Sequence, residues 1–500
     1  MNFTVWHYFY QYLKTNQFTF YFALFLFVLS IGKYLSIRVP RALLDKRKAL
    51  ILVVLLGLVL RVFWLGFSSH IPKTEWKMPF IEEDRINMHA IELTKGIWFL
   101  EPPGVSPDGD RPPSGHRPIG YPMVLGTVYK IFGTNTVNAW VLQLILYAAA
   151  TCLIFGIARM LFSSRVGIMA ALFFSIYPIS IYSVKLTCDE HLFLPVWYLG
   201  IYLLLKEING KRYVLSWLWY GLIFGYATMT RTHAIFMPLV LGFAYILGKF
   251  PRKKIISTVL LTVAVMQIIN LPWVVRNYKA WGVPVVYTTN LNYLYACVNS
   301  TATPEGEGWI PREGDEGYSE ELSKLVAEDR NPGMIHKLSS REMTRWIVMH
   351  PKEFMVLGIS RLLVFMEWNR RFGTWPFLSQ FYEGSYDPSR PMEGRLRYVL
   401  EELAYATYYA LFYAFLFAIF LMAFRWKRIK PLSRIGILTV GSCLSFWLLE
   451  HMVIYPDRKY RFPIEPLMMI FACYFFDHVM RTFRWEDAFR KVRSVLSRPR

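Results

Sequence analysis

Apolar residues in this chain are gathered into runs rather than spread as amphipathic faces. The runs lie at 18–36, 49–67, 137–160, 166–184, 191–206, 213–230, 233–249, 255–275, 401–424, 435–454 and 463–480. Their lengths are short or ordinary for tilted membrane helices. The pattern predicts an all-α polytopic membrane protein with roughly eleven transmembrane helices. Cations cluster between alternate runs: Arg38, Arg41, Lys46, Arg47 and Lys48; Arg159 and Arg165; Lys206, Lys211 and Arg212; Lys249, Arg252, Lys253 and Lys254; and Arg425, Lys427, Arg428, Lys430 and Arg434. Cationic loops stay on the cytoplasmic side, so these mark inner loops and put the N-terminus outside and the C-terminus inside. No basic region precedes the first run and no small-residue cleavage site follows it, so no cleavable signal peptide is expected.

Two long segments interrupt the pattern and fall outside by parity: 68–118, rich in Pro and Gly, and 277–400. Both are expected as outer insertions in one membrane bundle over 1–480, with short helices, followed by a basic cytoplasmic tail at 481–500. Within the second insertion, Glu353 to Trp368 is apolar but short and contains Arg361. Burying that charge at a bilayer centre costs about 2.5–3.5 kcal/mol, so an interfacial helix is expected.

Composition removes several classes of function. The chain is 54% hydrophobic, 17% aromatic and 18% charged, which excludes a disordered chain and a compact soluble enzyme. A net charge of +21 would suggest nucleic acid on a soluble domain, but the cations sit between spans, and no nucleic-acid partner is expected. Cys152, Cys443 and Cys473 lie in apolar runs and read as small buried hydrophobes. Cys188 and Cys297 fall in outer loops, where a disulfide between them is compatible with the sequence but not derivable from it. Walker A, Rossmann, HExxH and GxSxG signatures are absent.

Polar residues at the outer ends of spans carry the candidate chemistry. Glu82, Glu83 and Asp84 in IEEDRINMHAIELTKG are adjacent carboxylates; they are either a general base or a solvated acidic turn. Asp189, Glu190 and His191 in LTCDEHLFLP occupy a short outer turn, reading as a partner for a cation or metal, or as helix capping. Arg117 in GHRPIGYP, Arg231 and His233 in TRTH, Arg276 in PWVVRNY, and Arg458, Lys459 and Arg461 in YPDRKYRFP run against the positive-inside bias. They read as capture of a common anionic ligand, phosphate above all, or as headgroup anchoring. The segment VVYTTNLNYLYACVNSTATPEGEGW offers hydroxyls and aromatic faces for carbohydrate, or simply packs on the bundle. A divalent cation is compatible with Glu190, His191, Asp189 and His116, whose spacing is not diagnostic of one.

The order of these motifs, from HRPIGYPMVLGTVYKIFG through FSIYPISIYSVKLTCDEHLFLP, TRTHAIFMPL, LPWVVRNYKAWGVPVVYTTN and NSTATPEG to RKYRFPIEPL, resembles the GT-C membrane glycosyltransferases over about 75–480. It is most like the family 39-like group, relatives of protein O-mannosyltransferases and of the lipid A aminoarabinose transferase. The resemblance implies an inverting transferase that moves a sugar from a polyprenyl-phosphate carrier to a protein, glycan or lipid acceptor at the outer face of a bacterial inner membrane. It implies a catalytic carboxylate in the first outer loop, at Glu82 by ungapped match, with Asp84 two residues on and Glu83 between. It further implies acceptor or metal assistance at Glu190 and donor phosphate at Arg231 and Arg461. The rival readings are a transporter or flippase of lipid-linked sugar, and a non-catalytic envelope scaffold.

Overall fold

A computed structural model describes residues 46–69, 82–100, 111–115, 117–211, 213–289, 313–314, 318–328, 331–366, 391–453 and 458–482. Among them the regular structure is helical, with one isolated bridge between Leu100 and Pro113, as the apolar pattern predicts. In chain order the helices are α1 (Lys46–Ser69), α2 (Glu82–Thr94), α3 (Gly120–Phe132), α4 (Thr136–Leu161), α5 (Ser164–Ile176), α6 (Pro178–Tyr182), α7 (Glu190–Ile208) and α8 (Ser216–Thr230). There follow α9 (Met237–Leu247), α10 (Arg252–Trp281), α11 (Glu320–Glu328), α12 (Pro332–Met349), α13 (Pro351–Met366), α14 (Pro391–Phe424), α15 (Pro431–Val453) and α16 (Glu465–Thr482). The expected first span at 18–36 and the tail beyond Thr482 lie outside the described residues.

Helices α1, α4, α7, α10, α14 and α15 are long and apolar enough to cross a membrane, and α5 with α6 makes a seventh if that bent pair counts as one span. Each of the other expected runs within the described residues is also helical, but α8 has 15 residues and α9 has 11. At 1.5 Å per residue, a 15-residue helix reaches about 22 Å, against about 30 Å of hydrocarbon. Among the described residues the long spans are therefore fewer than the apolar runs. The short helices are held by their neighbours: α8 packs against α7 and α10, and α9 against α10 and α15.

The lipid-facing surface is written on α1. Ile51, Leu55, Val59 and Phe63, spaced four apart, are all more than half exposed. Such a stripe is a liability in water and ordinary in hydrocarbon. Cys152 also lies on an exposed face of α4, unlike buried Cys443 and Cys473, because an apolar position in a membrane helix faces lipid as readily as core. At the end carrying the clustered cations, Arg165 pairs with Asp477 at 3.0 Å and Lys254 with buried Glu207 at 2.8 Å. Glu207 also accepts the hydroxyls of Tyr220 and Tyr245.

One helix break is explained by chemistry. Between α5 and α6 the axis turns by 57° at Tyr177–Pro178. Pro178 has no N–H to offer the Phe174 carbonyl, and the Ser180 hydroxyl donates to that carbonyl instead, at 3.0 Å. Arg61 of α1, buried, donates to the carbonyls of Ser175 at 3.1 Å and Gly57 at 3.0 Å and to the Ser180 hydroxyl. Its guanidinium lies 3.4 Å from the Tyr147 ring centre. Gly57 permits this arrangement, since a Cβ there would collide with the Tyr147 hydroxyl. Helix α13, expected at an interface, packs against α15. Its fully buried Arg361 donates to the last carbonyls of α15, Met452 at 2.9 Å and Val453 at 3.3 Å. Those C-terminal carbonyls have no intrahelical partner, which makes them a ready acceptor for a buried cation.

Arg61→Met is expected to lower stability by about 2–3 kcal/mol, because it strands the Ser175 carbonyl among apolar helices, and Ser180→Ala by about 1 kcal/mol. Thermal unfolding of the purified protein in detergent checks this; an unchanged midpoint for Arg61→Met would refute the role given to the guanidinium.

Candidate active site at one end of the bundle

Helix α7 begins where the chain emerges from the break at Pro178. Asp189 occupies its N-cap position without a side-chain capping bond, and Glu190 is its first residue. Both are buried. The Glu190 carboxylate accepts from Arg231 Nη2 at 2.5 Å, in a pair whose side chains are 7% and 6% exposed. Arg231 sits between the last turn of α8 and the 3-10 turn Thr232–Phe236. A carboxylate at a helix N-terminus is favoured by the dipole, and a buried pair of this kind costs about 3–5 kcal/mol to break by removing one partner. Two residues singled out separately by sequence, one as an assisting acid and one as a phosphate ligand, are thus in direct contact. His191 faces elsewhere: its Nε2 donates to the Ser183 carbonyl at 2.8 Å.

The α2–α3 hairpin packs against the end of α8, next to Arg231. Glu82, Glu83 and Asp84 form the first turn of α2. Helix α2 packs on α3, where an added Cβ at Gly126 would stand 3.0 Å from the Ala90 carbonyl. The Tyr129 hydroxyl donates to Asn87 Oδ1 at 2.7 Å across the same contact. Helix α3 in turn abuts the end of α8: a Cβ at Gly120 would meet the Met229 carbonyl at 2.8 Å, and the Tyr226 hydroxyl donates to the Gly120 carbonyl at 2.8 Å. Glycine at position 120 is what allows HRPIGYP to sit one residue from Arg231. Arg117 is buried in that same stretch. Arg276, at the end of α10, donates to the carbonyls of Ser114 at 2.8 Å and Phe99 at 2.6 Å, with its guanidinium near the rings of Trp273 and Trp281. It therefore ties the acidic segment to the bundle. The hydroxyl of Thr288 and the amide of Thr289 bind the Gly115 carbonyl, both at 2.9 Å, so the start of the VVYTTN segment closes the same loop. The rest of that segment, His116 and Cys297 lie outside the described residues.

Arg461 closes a second network. It is 1% exposed, pairs with Glu465 at 3.0 Å, donates to the Phe365 carbonyl at 2.7 Å and stacks 3.6 Å over Tyr408. A phosphate reaching Arg461 would share it with Glu465. Arg458 lies in the same 3-10 turn, with Lys459 beside it. Between the two networks stand His233, already singled out by sequence, and Tyr460, Trp447, Glu450 and His451, which the sequence reading passed over. Tyr460 lies 5.2 Å from Arg231, and His233 stacks on Trp447 at 4.1 Å and sits 5.3 Å from the His451 ring. Glu450 and His451 are buried at the end of α15. Their signal was two ionisable residues closing an apolar run in LLEHMVIYP, which by itself suggests function. Among the described residues no group of three His, Cys, Asp or Glu side chains is arranged to hold a metal ion.

Residues 116–274 match the family model of the dolichyl-phosphate-mannose-protein mannosyltransferases. The matched stretch contains Arg117, Asp189, Glu190, His191, Arg231 and His233. It leaves outside the carboxylates of α2, Arg276 and the 450–465 region. Among solved structures the chain is similar to the oligosaccharyltransferase AglB from Archaeoglobus fulgidus in complex with an inhibitory peptide and a dolichol-phosphate, at 13% identity and TM-score 0.49. That alignment covers 91% of this chain and 52% of the other, so the chain spans about half the length of the archaeal protein. It is also similar to ArnT from Cupriavidus metallidurans bound to undecaprenyl phosphate, at 15% identity and TM-score 0.37, over 86% and 77% of the two chains. No curated protein matches it by sequence.

His89 provides a pH handle on this end of the molecule. It is buried on α2, 5.0 Å from the Phe99 ring, and burial followed by repulsion from Arg85, Arg111 and Arg276 lowers its pKa from 6.5 to about 4. The unfolded chain binds the proton more readily. The contribution of neutral His89 to stability is therefore fully present above about pH 6.5 and is lost as pH falls toward 4, by about 3 kcal/mol in all. Thermal midpoints between pH 7.5 and 4 are expected to fall less steeply for His89→Gln than for wild type; parallel slopes would count against a buried neutral His89.

Proposed function

We propose that the protein is an integral-membrane, inverting glycosyltransferase that moves a sugar from a polyprenyl-phosphate carrier to an acceptor on the outer face of a bacterial inner membrane. The observation that carries the reading is the buried Arg231–Glu190 pair, abutted by the hairpin of α2 and α3 that carries three candidate carboxylates. The family match over 116–274 supports a lipid-phosphate sugar as the donor.

In this reading a carboxylate of the first turn of α2 takes the proton of the acceptor group while the acceptor atom attacks the anomeric carbon. The bond from that carbon to the phosphate oxygen breaks, and the carrier leaves as a phosphate with its negative charge increased by one. Arg231 and Arg117 stabilise that charge as it grows. A phosphate is a good leaving group, so no separate acid is required. Glu190 keeps Arg231 oriented before the donor arrives, which spares reorganisation at the moment of reaction. Attack opposite the leaving phosphate inverts the anomeric centre. A divalent cation at Asp189 and Glu190 is compatible with this scheme and is not needed by it.

The transporter reading draws on the break between α5 and α6, because broken helices commonly expose carbonyls to a cargo ion. Here the carbonyls of Phe174 and Ser175 are engaged by Ser180 and Arg61, which removes that support.

Purified protein supplied with radiolabelled polyprenyl-phosphate sugars is expected to release or transfer sugar. Among Glu82→Gln, Glu83→Gln and Asp84→Asn, one should abolish turnover while the others keep most of it. Arg231→Ala should lower turnover by about 10²–10³-fold, the scale for loss of one preorganised charge-stabilising group. Movement of intact lipid-linked sugar across vesicles without cleavage would replace this reading with the transporter.

A further inference from the structure

Beside Arg231, three side chains hold polar atoms that are buried and have no hydrogen-bond partner among the described residues: both ring nitrogens of His233, Nε2 of His451 and Oε2 of Glu450. They belong to one cluster. The His233 and His451 rings are 5.3 Å apart, Glu450 is the neighbour of His451 on α15, and Arg231 acts electrostatically on all three. The rest of the cluster is well satisfied: His451 Nδ1 bonds to the Trp447 carbonyl at 2.8 Å, the Trp447 indole donates to the Tyr460 carbonyl at 3.1 Å, and His451 stacks on Phe365 at 4.2 Å. The orientation of the rings is thus fixed by aromatic packing and by one hydrogen bond, while four polar atoms remain unmatched. An unmatched buried donor or acceptor costs about 1–3 kcal/mol, and native proteins keep few of them without a reason. Grouped around a guanidinium, they fit a ligand that presents several hydroxyls close to an anionic group.

We propose that His233, Glu450 and His451 form the subsite for the sugar ring of the donor, accepting from and donating to its hydroxyls while Arg231 engages the adjoining phosphate. This rests on the lipid-phosphate-sugar reading above and adds to it the residues that select the sugar. Imidazole nitrogens and a carboxylate oxygen give both acceptors and a donor, the set that sugar hydroxyls need. A site built to bond a particular hydroxyl discriminates strongly against a sugar lacking it, because its own groups are then left unpaired. The ring of Tyr460, partly exposed beside His233, suits the apolar face of a pyranose or furanose ring.

The test is equilibrium binding to the full-length protein in detergent, with bare undecaprenyl phosphate and with undecaprenyl-phosphate esters of mannose, glucose, galactose, N-acetylglucosamine and arabinose as probes. Wild type should bind at least one ester more tightly than the bare lipid phosphate. His233→Phe and Glu450→Gln should each weaken that ester by about fivefold or more while leaving bare undecaprenyl phosphate within about twofold. His233→Phe keeps the stack on Trp447 and removes two unmatched nitrogens, so its thermal midpoint should be no lower than that of wild type. Equal loss of ester and bare phosphate, or unchanged binding of both, would overturn the subsite. Wild type that binds bare lipid phosphate as tightly as every ester would overturn the subsite alone, whereas wild type that binds none of the probes would overturn the donor reading with it.

Discussion

A guanidinium taken out of water and set among apolar helices has to be met by acceptors, because hydrocarbon supplies none. Four arginines of this bundle, Arg61, Arg231, Arg361 and Arg461, are 6% exposed or less, and each meets that requirement in a way that shapes the chain around it. Arg61 and Arg361 are answered by backbone carbonyls left over where a helix breaks or ends, at Ser175 and at Met452 and Val453. Arg231 and Arg461 are answered by carboxylates, Glu190 and Glu465, each in the first turn of a helix. In both kinds the cation and the irregular backbone depend on one another: the carbonyls at the α5–α6 break and the α15 terminus would be stranded without the arginines, and the arginines would be stranded without the breaks. These are the points where helices leave the regular up-and-down course, and three of the four lie around the candidate site.

Much of this was legible in the sequence, for identifiable reasons. Apolar runs fixed helix positions, since their lengths follow from the thickness of the bilayer. The pairing of Arg165 with Asp477 and of Lys254 with Glu207 falls at the end the cations had marked as inner. Asp189, Glu190 and Arg231 were visible because ionisable residues in short turns between spans are conspicuous. What spacing did not reveal was that Glu190 and Arg231, 41 residues apart, are partners. Nor did it reveal α3, whose 13 residues are too few to span and whose glycines matter through close approach to Met229 and Ala90. Arg61, Glu450 and His451 were absorbed into apolar runs, where window averages hide a single charge. Arg276 was read as a phosphate ligand from its type and place; its bonds to the Ser114 and Phe99 carbonyls are contacts between distant segments that no local pattern encodes.

The same constraint separates the two ways of using an anionic lipid. A carrier that moves charge through a bundle needs groups that exchange partners, and its broken helices leave carbonyls available. In this protein the carbonyls at the bent α5–α6 pair are held by a buried cation and a hydroxyl, so movement there would break several bonds at once. Four buried polar atoms without partners among the described residues lie instead at the end of α15 and at His233, near Arg231.

Fixed charges beside unmatched polar atoms, under aromatic walls, are what chemistry at a phosphate requires. In a water-poor site a guanidinium is worth far more to a developing negative charge than it is in solvent, provided it need not be reoriented. Glu190 supplies the orientation and at the same time lowers the net charge around Arg231, which limits the cost of keeping Arg231 buried. In the proposed reaction a phosphate would join the pair, the cation would answer two anions, and the charge added as the carrier leaves would fall on groups already in place. In the proposed subsite, the stability given up by leaving His233, Glu450 and His451 with unmatched atoms has the same origin as the positioning of Arg231: both would prepare contacts that a ligand with an anionic and a hydroxylated part completes.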